Sequence, residues 1–165
     1  VKRFPFMSIT LLVLIFFFCF IMPYFYHGFA YDLNPSAILL PPSFEHLLGT
    51  DRLGRDLFAR LMIGGQVSLL IGILSALISS IVGLMIGISA GFFQKGVDKF
   101  IIVLIDLFLT FPTFFLLLAL ISYMSASVWV LIFIISVTGW MGMARMIRSE
   151  SFAISNAPFI KILKL

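Results

Sequence analysis

The stretch from His46 to Leu61, HLLGTDRLGRDLFARL, holds the densest polar chemistry in the chain. Six of its sixteen residues are Asp, Arg or His. Carboxylates and guanidiniums at this spacing can pair with one another, close turns and cap a helix. Gly49 and Gly54 permit tight turns, and Thr50 or Asp51 suits the N-cap of the segment that follows. Asp51 and Asp56 have Arg52, Arg55 and Arg60 as local partners. Two readings stand for this cluster: a brace holding a loop, or a surface touched by another protein. His27 and His46 read as solvated loop histidines, and no second ligand stands at metal spacing.

The second place with chemistry is Asp106. It lies inside an apolar run, where a carboxylate must face a cavity, a polar partner or the headgroup edge. Thr110 and Thr113 follow at i+4 and i+7, on the same face of a helix, and Pro112 should kink that helix. A polar stripe beside a kink suits a substrate pathway. The plainer reading is a carboxylate pairing near the membrane surface with Lys99 or Arg145. No H-E-x-x-H, no G-x-x-x-x-G-K-[ST] and no G-x-S-x-G occurs. A paired intramembrane aspartate mechanism lacks its second member. No catalytic residue, metal site or cofactor is assigned to this chain.

The elements that position these residues are membrane spans. Of the 165 residues 62% are hydrophobic and 11% charged, and 20 are Phe. That is too little charge to cover a water-facing surface, since soluble domains carry about 25%. Four apolar runs, Phe4–Tyr26, Val67–Phe93, Phe100–Tyr123 and Val128–Met146, approach the roughly 20 residues a helix needs to cross hydrocarbon. None alternates as a barrel strand would. The first run could instead be a signal peptide, with Gly28-Phe29-Ala30 as cleavage site, but its apolar stretch exceeds the usual h-region.

With the N-terminus inside, eight basic residues (Lys2, Arg3, Lys95, Lys99, Arg145, Arg148, Lys161 and Lys164) lie inside, against Arg52, Arg55 and Arg60 outside. Both termini are therefore expected in the cytoplasm. The net charge of +4 reflects this topology rather than a nucleic-acid surface. The single Cys19 excludes an intrachain disulfide. Trp140 reads as an interfacial anchor.

The second run carries small residues at Ser68, Gly72, Ala76, Ser80, Gly83, Gly87 and Gly91. Spacings of three and four lay them along one face, where another helix backbone can approach closely. Packing within the chain, a subunit interface and a pore lining all remain open.

HLLGTDRLGRDLFARLMIGGQVSLLIG resembles the signature region of ABC-transporter permeases of the dipeptide/oligopeptide/nickel importer family. That family carries H-x-L-G-T-D-x-x-G-R-D-x-x-x-R before its second span, matched here by His46, Leu48, Gly49, Thr50, Asp51, Gly54, Arg55, Asp56 and Arg60. VDKFIIVLIDLFLTFPTFFLLLAL is similar to the family's third span, with Asp106, Phe111 and Pro112. TGWMGMARMIRSE is similar to the exit of the fourth, from Thr138, Gly139 and Trp140 through Ala144 and Arg145 to Arg148 and Glu150. Within the family, the C-type subunit of a dipeptide system is the nearest pattern.

The resemblance implies an all-α membrane protein with four transmembrane helices of an expected six-helix permease fold. It implies half of the pathway of an ATP-driven importer for dipeptides or oligopeptides, in the bacterial inner membrane. Implied partners are a second permease subunit, two cytoplasmic ATPases that bind ATP and Mg, and an extracytoplasmic substrate-binding protein. The chain then divides into an anchor (1–26), an extracytoplasmic loop (27–66), three spans of the permease core (67–147) and a cytoplasmic ATPase-docking segment (148–165). Docking residues would be Glu150, Phe152, Ile154 and Phe159, in a helix-in-groove contact. By spacing, the family's E-A-A triplet falls on Lys161-Ile162-Leu163, a departure, with Pro158 just before it. The last two family spans are not found, so the expectation is a truncated permease. The alternatives are a non-transporting remnant or membrane scaffold and, lacking any catalytic constellation, a small membrane enzyme.

Overall fold

The computed structural model describes residues 6–110, 113–124, 127–158 and 160, with backbone only at 113, 114 and 116. The described chain is mostly helical. It divides into two compact units, Val1–Leu70 and Ile71–Leu165.

In the first unit, α1 covers Phe6–Phe16 and continues as a π-helical turn, Phe17–Ile21, and a 3-10 turn, Met22–Tyr24. None of the residues of α1 is buried, as suits a helix whose solvent is lipid. The π turn has a visible cause of stability, because Gln66 Nε2 donates to the Cys19 carbonyl at 2.7 Å. The core of this unit is Ala30, Ala59 and Met62, packed by Phe18, Met22, Tyr26, Phe58 and Ile63. Phe58 meets both Phe18 and Tyr26 edge-on, with centroids 5.3 and 5.0 Å apart.

The long helix α2, Leu57–Phe93, starts ten residues before the apolar run that signalled it. Its N-cap is Asp56, whose Oδ1 accepts from Ala59 N at 2.8 Å, and not Thr50 or Asp51 as the sequence suggested. The segment SFEHLLG, residues 43–49, forms bends and turns rather than helix. There the His46 carbonyl accepts from Ser43 N and Gly49 N, both at 2.8 Å, and closes a turn. A 3-10 turn forms instead at Pro35–Ala37, capped by the Asn34 side chain.

The second unit holds the remainder of α2 with α3 (Lys95–Thr110), α4 (Thr113–Tyr123) and α5 (Val128–Ser155), and α5 packs against both α3 and α4. Ile105, Met141 and Ala144 form the buried centre, with Ile86, Ile101 and Trp140 against it. Trp140, expected as an interfacial anchor, is half-buried and packs against this centre.

The small-residue stripe of α2 meets α5. A Cβ on Gly83 would strike Met143 and the Trp140 carbonyl; on Gly87, the Ala144 carbonyl and Ile147; on Gly91, Ser151. Ser155 Oγ donates to the Gly91 carbonyl at 3.1 Å and Ser79 Oγ to that of Ser136 at 3.3 Å, the contacts that close backbone approach allows. Gly72, in the same stripe, faces open space.

Among the described residues, three helices are long and apolar enough to cross a membrane: Phe6–Tyr24, Leu57–Phe93 and Val128–Ser155. The third apolar run is divided between α3 and α4, neither of which reaches that length alone. Pro112, expected to kink it, lies outside the described residues.

Candidate functional site

The structure brings the outer-loop motif together in the first unit. Gly49 and Gly54 both adopt φ of 74°, and a side chain on either would run into the carbonyl of Leu40 or Asn34. Thr50 pins the loop from both directions: its hydroxyl accepts from Leu40 N at 2.8 Å and donates to the Ala37 carbonyl. Asp51 Oδ1 accepts from Leu53 N at 2.8 Å and Arg55 N at 3.0 Å, closing an Asx turn. Its Oδ2 takes Arg55 Nε at 2.9 Å and Arg60 Nη1 at 2.5 Å.

Asp56 is 1% exposed and takes neither arginine. Beyond the helix cap, its Oδ2 accepts from the Tyr26 hydroxyl at 2.7 Å and meets His46 Nδ1 at 2.8 Å. This corrects the reading of His46 as a solvated loop histidine and of Asp56 as an arginine partner. Tyr26 was not singled out in the sequence. The one available sign was a hydroxyl at the end of an apolar run, thirty residues from its partner.

The electrostatics follow. Burial alone would raise both carboxyls. For Asp51 the Arg55 guanidinium and the backbone N–H groups of Arg55 and Leu53 outweigh it and hold the carboxyl well below the usual range. For Asp56 the Ala59 N–H, His46 and Tyr26 do the same. Burial and the hydrogen bond to Asp56 push the Tyr26 phenol up to about 12. Carboxylates fixed in this way do not exchange protons near neutral pH. The arrangement can brace a loop and carry a rigid surface; it has no features of an acid–base site.

In the second unit, Asp106 meets Arg145, whose Nη2 donates to Oδ1 at 2.7 Å. Both side chains are more than half exposed. The Thr110 hydroxyl donates to the Asp106 carbonyl at 2.7 Å. Thr113 is the first residue of α4, and its side chain lies outside the described residues. One helical turn further along α5, Arg148 grips both oxygens of Asp98, with Nη2 to Oδ2 at 2.7 Å. That fork holds the Asp98 carboxyl below its ordinary range.

The segment expected to form a docking loop from 148 begins as the last two turns of α5, which carry Glu150, Phe152 and Ile154. Ile154 and Glu150 line a groove with Leu84, Ile88 and Phe92 of α2, and Phe159 lies outside the described residues.

The comparisons with known proteins agree on one kind of molecule. The chain is 33% identical over 121 residues to the dipeptide transport system permease protein DppC of Bacillus subtilis (strain 168), covering 73% of this chain and 38% of that one. It is 29% identical over 156 residues to the oligopeptide transport system permease protein OppC of Haemophilus influenzae, covering 93% of this chain and 50% of the relative. A third relative, OppC of Mycobacterium bovis, is 33% identical over 144 residues, 86% of this chain and 48% of its own. The chain thus spans half or less of the length of these relatives. Residues 83–165, which hold Gly83, Gly87, Gly91, Asp106 and Arg145, match the family described as binding-protein-dependent transport system inner membrane component. The chain is therefore a permease component, not an enzyme, and belongs to the family of binding-protein-dependent transport system inner membrane components.

Proposed function

We propose that the chain forms part of the translocation pathway of an ATP-driven importer for dipeptides or oligopeptides. The observation that carries this is the likeness to peptide permeases of three organisms along 73–93% of the chain. In this reading a second permease subunit completes the pathway, two cytoplasmic ATPases supply ATP hydrolysis with Mg, and an extracytoplasmic binding protein delivers the peptide. The braced outer loop, with Gly49, Thr50, Asp51, Gly54, Arg55, Asp56 and Arg60, offers a rigid extracytoplasmic surface for such a contact. Glu150, Phe152, Ile154 and Phe159 serve ATPase docking, and Asp106, Thr110 and Thr113 belong to the pathway.

The chain crosses the inner membrane four times with both termini in the cytoplasm, α3 and α4 together making the third crossing. Supporting this is the Asp98–Arg148 fork, which ties the start of α3 to the end of α5. Two ends held together must share one side of the bilayer, as the excess of Lys and Arg there requires.

The test is reconstitution with the ATPases, partner permease and binding protein in proteoliposomes. Uptake of labelled dialanine should require ATP and every partner. Uptake by this chain alone, or failure of the ATPases to co-purify with the full permease pair, overturns the reading.

A further inference from the structure

We propose that Asp106 and Arg145 form a docking point for a short zwitterion, taking the ammonium group of a peptide on the carboxylate and its terminal carboxylate on the guanidinium. This rests on the permease reading and adds to it the part of the substrate that is read, and where.

Two ion pairs join α3 to α5, and they are built differently. Arg148 holds Asp98 by both oxygens, and the two side chains are 26% and 14% exposed. That pair is bidentate and uses both oxygens of Asp98, so its carboxylate has no oxygen left unpaired. Arg145 holds Asp106 by one oxygen only, and the exposures are 56% and 60%. Asp106 Oδ2 and the other guanidinium N–H groups of Arg145 have no partner among the described residues. A guanidinium has five donors, so most of its capacity is unspent.

This opening matters because of where it lies. Asp106 is seven residues past Lys99, about 10 Å along α3. At that depth, unspent charge must face a polar cavity or a polar partner rather than lipid. The pair indeed lines a small groove of about 280 Å³, with Ile102, Ile105 and Arg148. The pair is neutral overall, so neither a simple anion nor a simple cation gains from it without meeting the opposite charge. A ligand bearing both charges meets each at once. Two extended residues span at most about 7 Å, so the ends of a dipeptide can reach adjacent charges, whereas those of an extended pentapeptide, about 17 Å apart, cannot.

The test measures equilibrium binding to the purified permease–ATPase complex without the binding protein, so that delivery does not mask selection. Dialanine, N-acetyl-dialanine and dialanine amide are compared. Wild type should bind dialanine, and each cap should weaken it roughly tenfold or more, as loss of one charge-assisted contact does. Asp106→Asn should abolish sensitivity to the N-acetyl cap alone, and Arg145→Gln sensitivity to the amide cap alone. Asp98→Asn, which loosens the neighbouring fork, should leave both sensitivities intact. If the neutral variants do not assemble, Asp106→Glu and Arg145→Lys keep the charges and should keep both cap sensitivities. Equal weakening of all three peptides by either neutral variant, wild type indifferent to the caps, or loss of cap sensitivity in the charge-conserving variants overturns the inference. ATP-driven uptake by the complete transporter is measured in parallel. Peptide uptake without this pattern sinks the zwitterion site alone; no uptake of any peptide sinks the permease reading beneath it.

Discussion

Tyr26 and Asp56, thirty residues apart, meet through a 2.7 Å hydrogen bond in which the phenol donates to the carboxylate. The same carboxylate caps α2 through Ala59 N and holds His46. One buried side chain thus joins the end of the first helical segment, the middle of the outer loop and the start of α2. Its contacts are cooperative in a simple sense: each orients the group that the others need.

Replacing Asp56 should therefore cost more than an ordinary cap. Asp56→Ala removes the cap and leaves Tyr26 and His46 without their partner, a loss of about 2–4 kcal/mol. Asp56→Asn keeps a capping oxygen and should cost less. Thermal unfolding of the detergent-solubilised protein, with Tyr26→Phe as a milder comparison, measures the order.

The pH response of this loop follows from the direction of each shift. Asp51 and Asp56 are held below the unfolded value of about 3.9, so their stabilising contribution is complete well above it and fades as pH falls through and below about 4. Tyr26 is raised from 10.0 to about 12, so the contribution of its neutral phenol is complete below pH 10 and disappears as pH rises towards 12. Limited proteolysis of the loop should show a plateau between about pH 5 and 9. Tyr26→Phe should flatten the alkaline edge and leave the acid edge in place.

Much of this architecture could be read from the amino acids, and the reasons for the failures are specific. The long apolar helices and the small-residue face of α2 came from composition and spacing, both of which are local. The start of α2 was misplaced because Leu57 to Gln66 mixes polar and apolar residues, and only the capped carboxylate shows where the helix begins. His46 looked solvated because its partner, Asp56, seemed already committed to the arginines. Asp51 took Arg55 and Arg60 instead, which freed Asp56 for the buried role.

The glycines of α2 should differ sharply in their tolerance of alanine. At Gly87 a Cβ would stand 2.7 Å from the Ala144 carbonyl and 2.8 Å from Ile147 Cβ, so Gly87→Ala must push α5 away. The expected loss is about 1–3 kcal/mol. At Gly72 nothing lies within 4 Å, and alanine has the better helix propensity, so Gly72→Ala should be neutral or slightly stabilising. Melting temperatures of the two variants in one detergent decide the matter; equal losses would mean that the stripe is packed at Gly72 as well.

The two ion pairs between α3 and α5 should separate in a double-mutant cycle. Asp98 with Arg148 is forked and largely buried, so Asp98→Asn with Arg148→Gln should show a coupling of about 1–3 kcal/mol. Asp106 with Arg145 is exposed and singly bonded, so its coupling should stay within about 1 kcal/mol. Folding stability read for all six variants would expose the opposite order if the exposed pair were the true clasp.

Topology gives the last expectation. Arg55 lies in the polar segment before α2, and Lys99 in the first turns of α3. A helix of 37 residues is about 55 Å long, against roughly 30 Å of hydrocarbon, so α2 can carry one crossing with turns to spare. With Cys19 replaced by Ala, cysteines placed singly at 55 and 99 should report opposite compartments. A membrane-impermeant maleimide should label position 55 in intact spheroplasts and position 99 only after lysis. Arg148 pairs with Asp98 beside Lys99, so a cysteine at the exposed Met146 should behave as position 99 does. Labelling of 55 and 99 from the same side would mean that α2 does not cross the bilayer, and the membrane assignment of every other helix would fail with it.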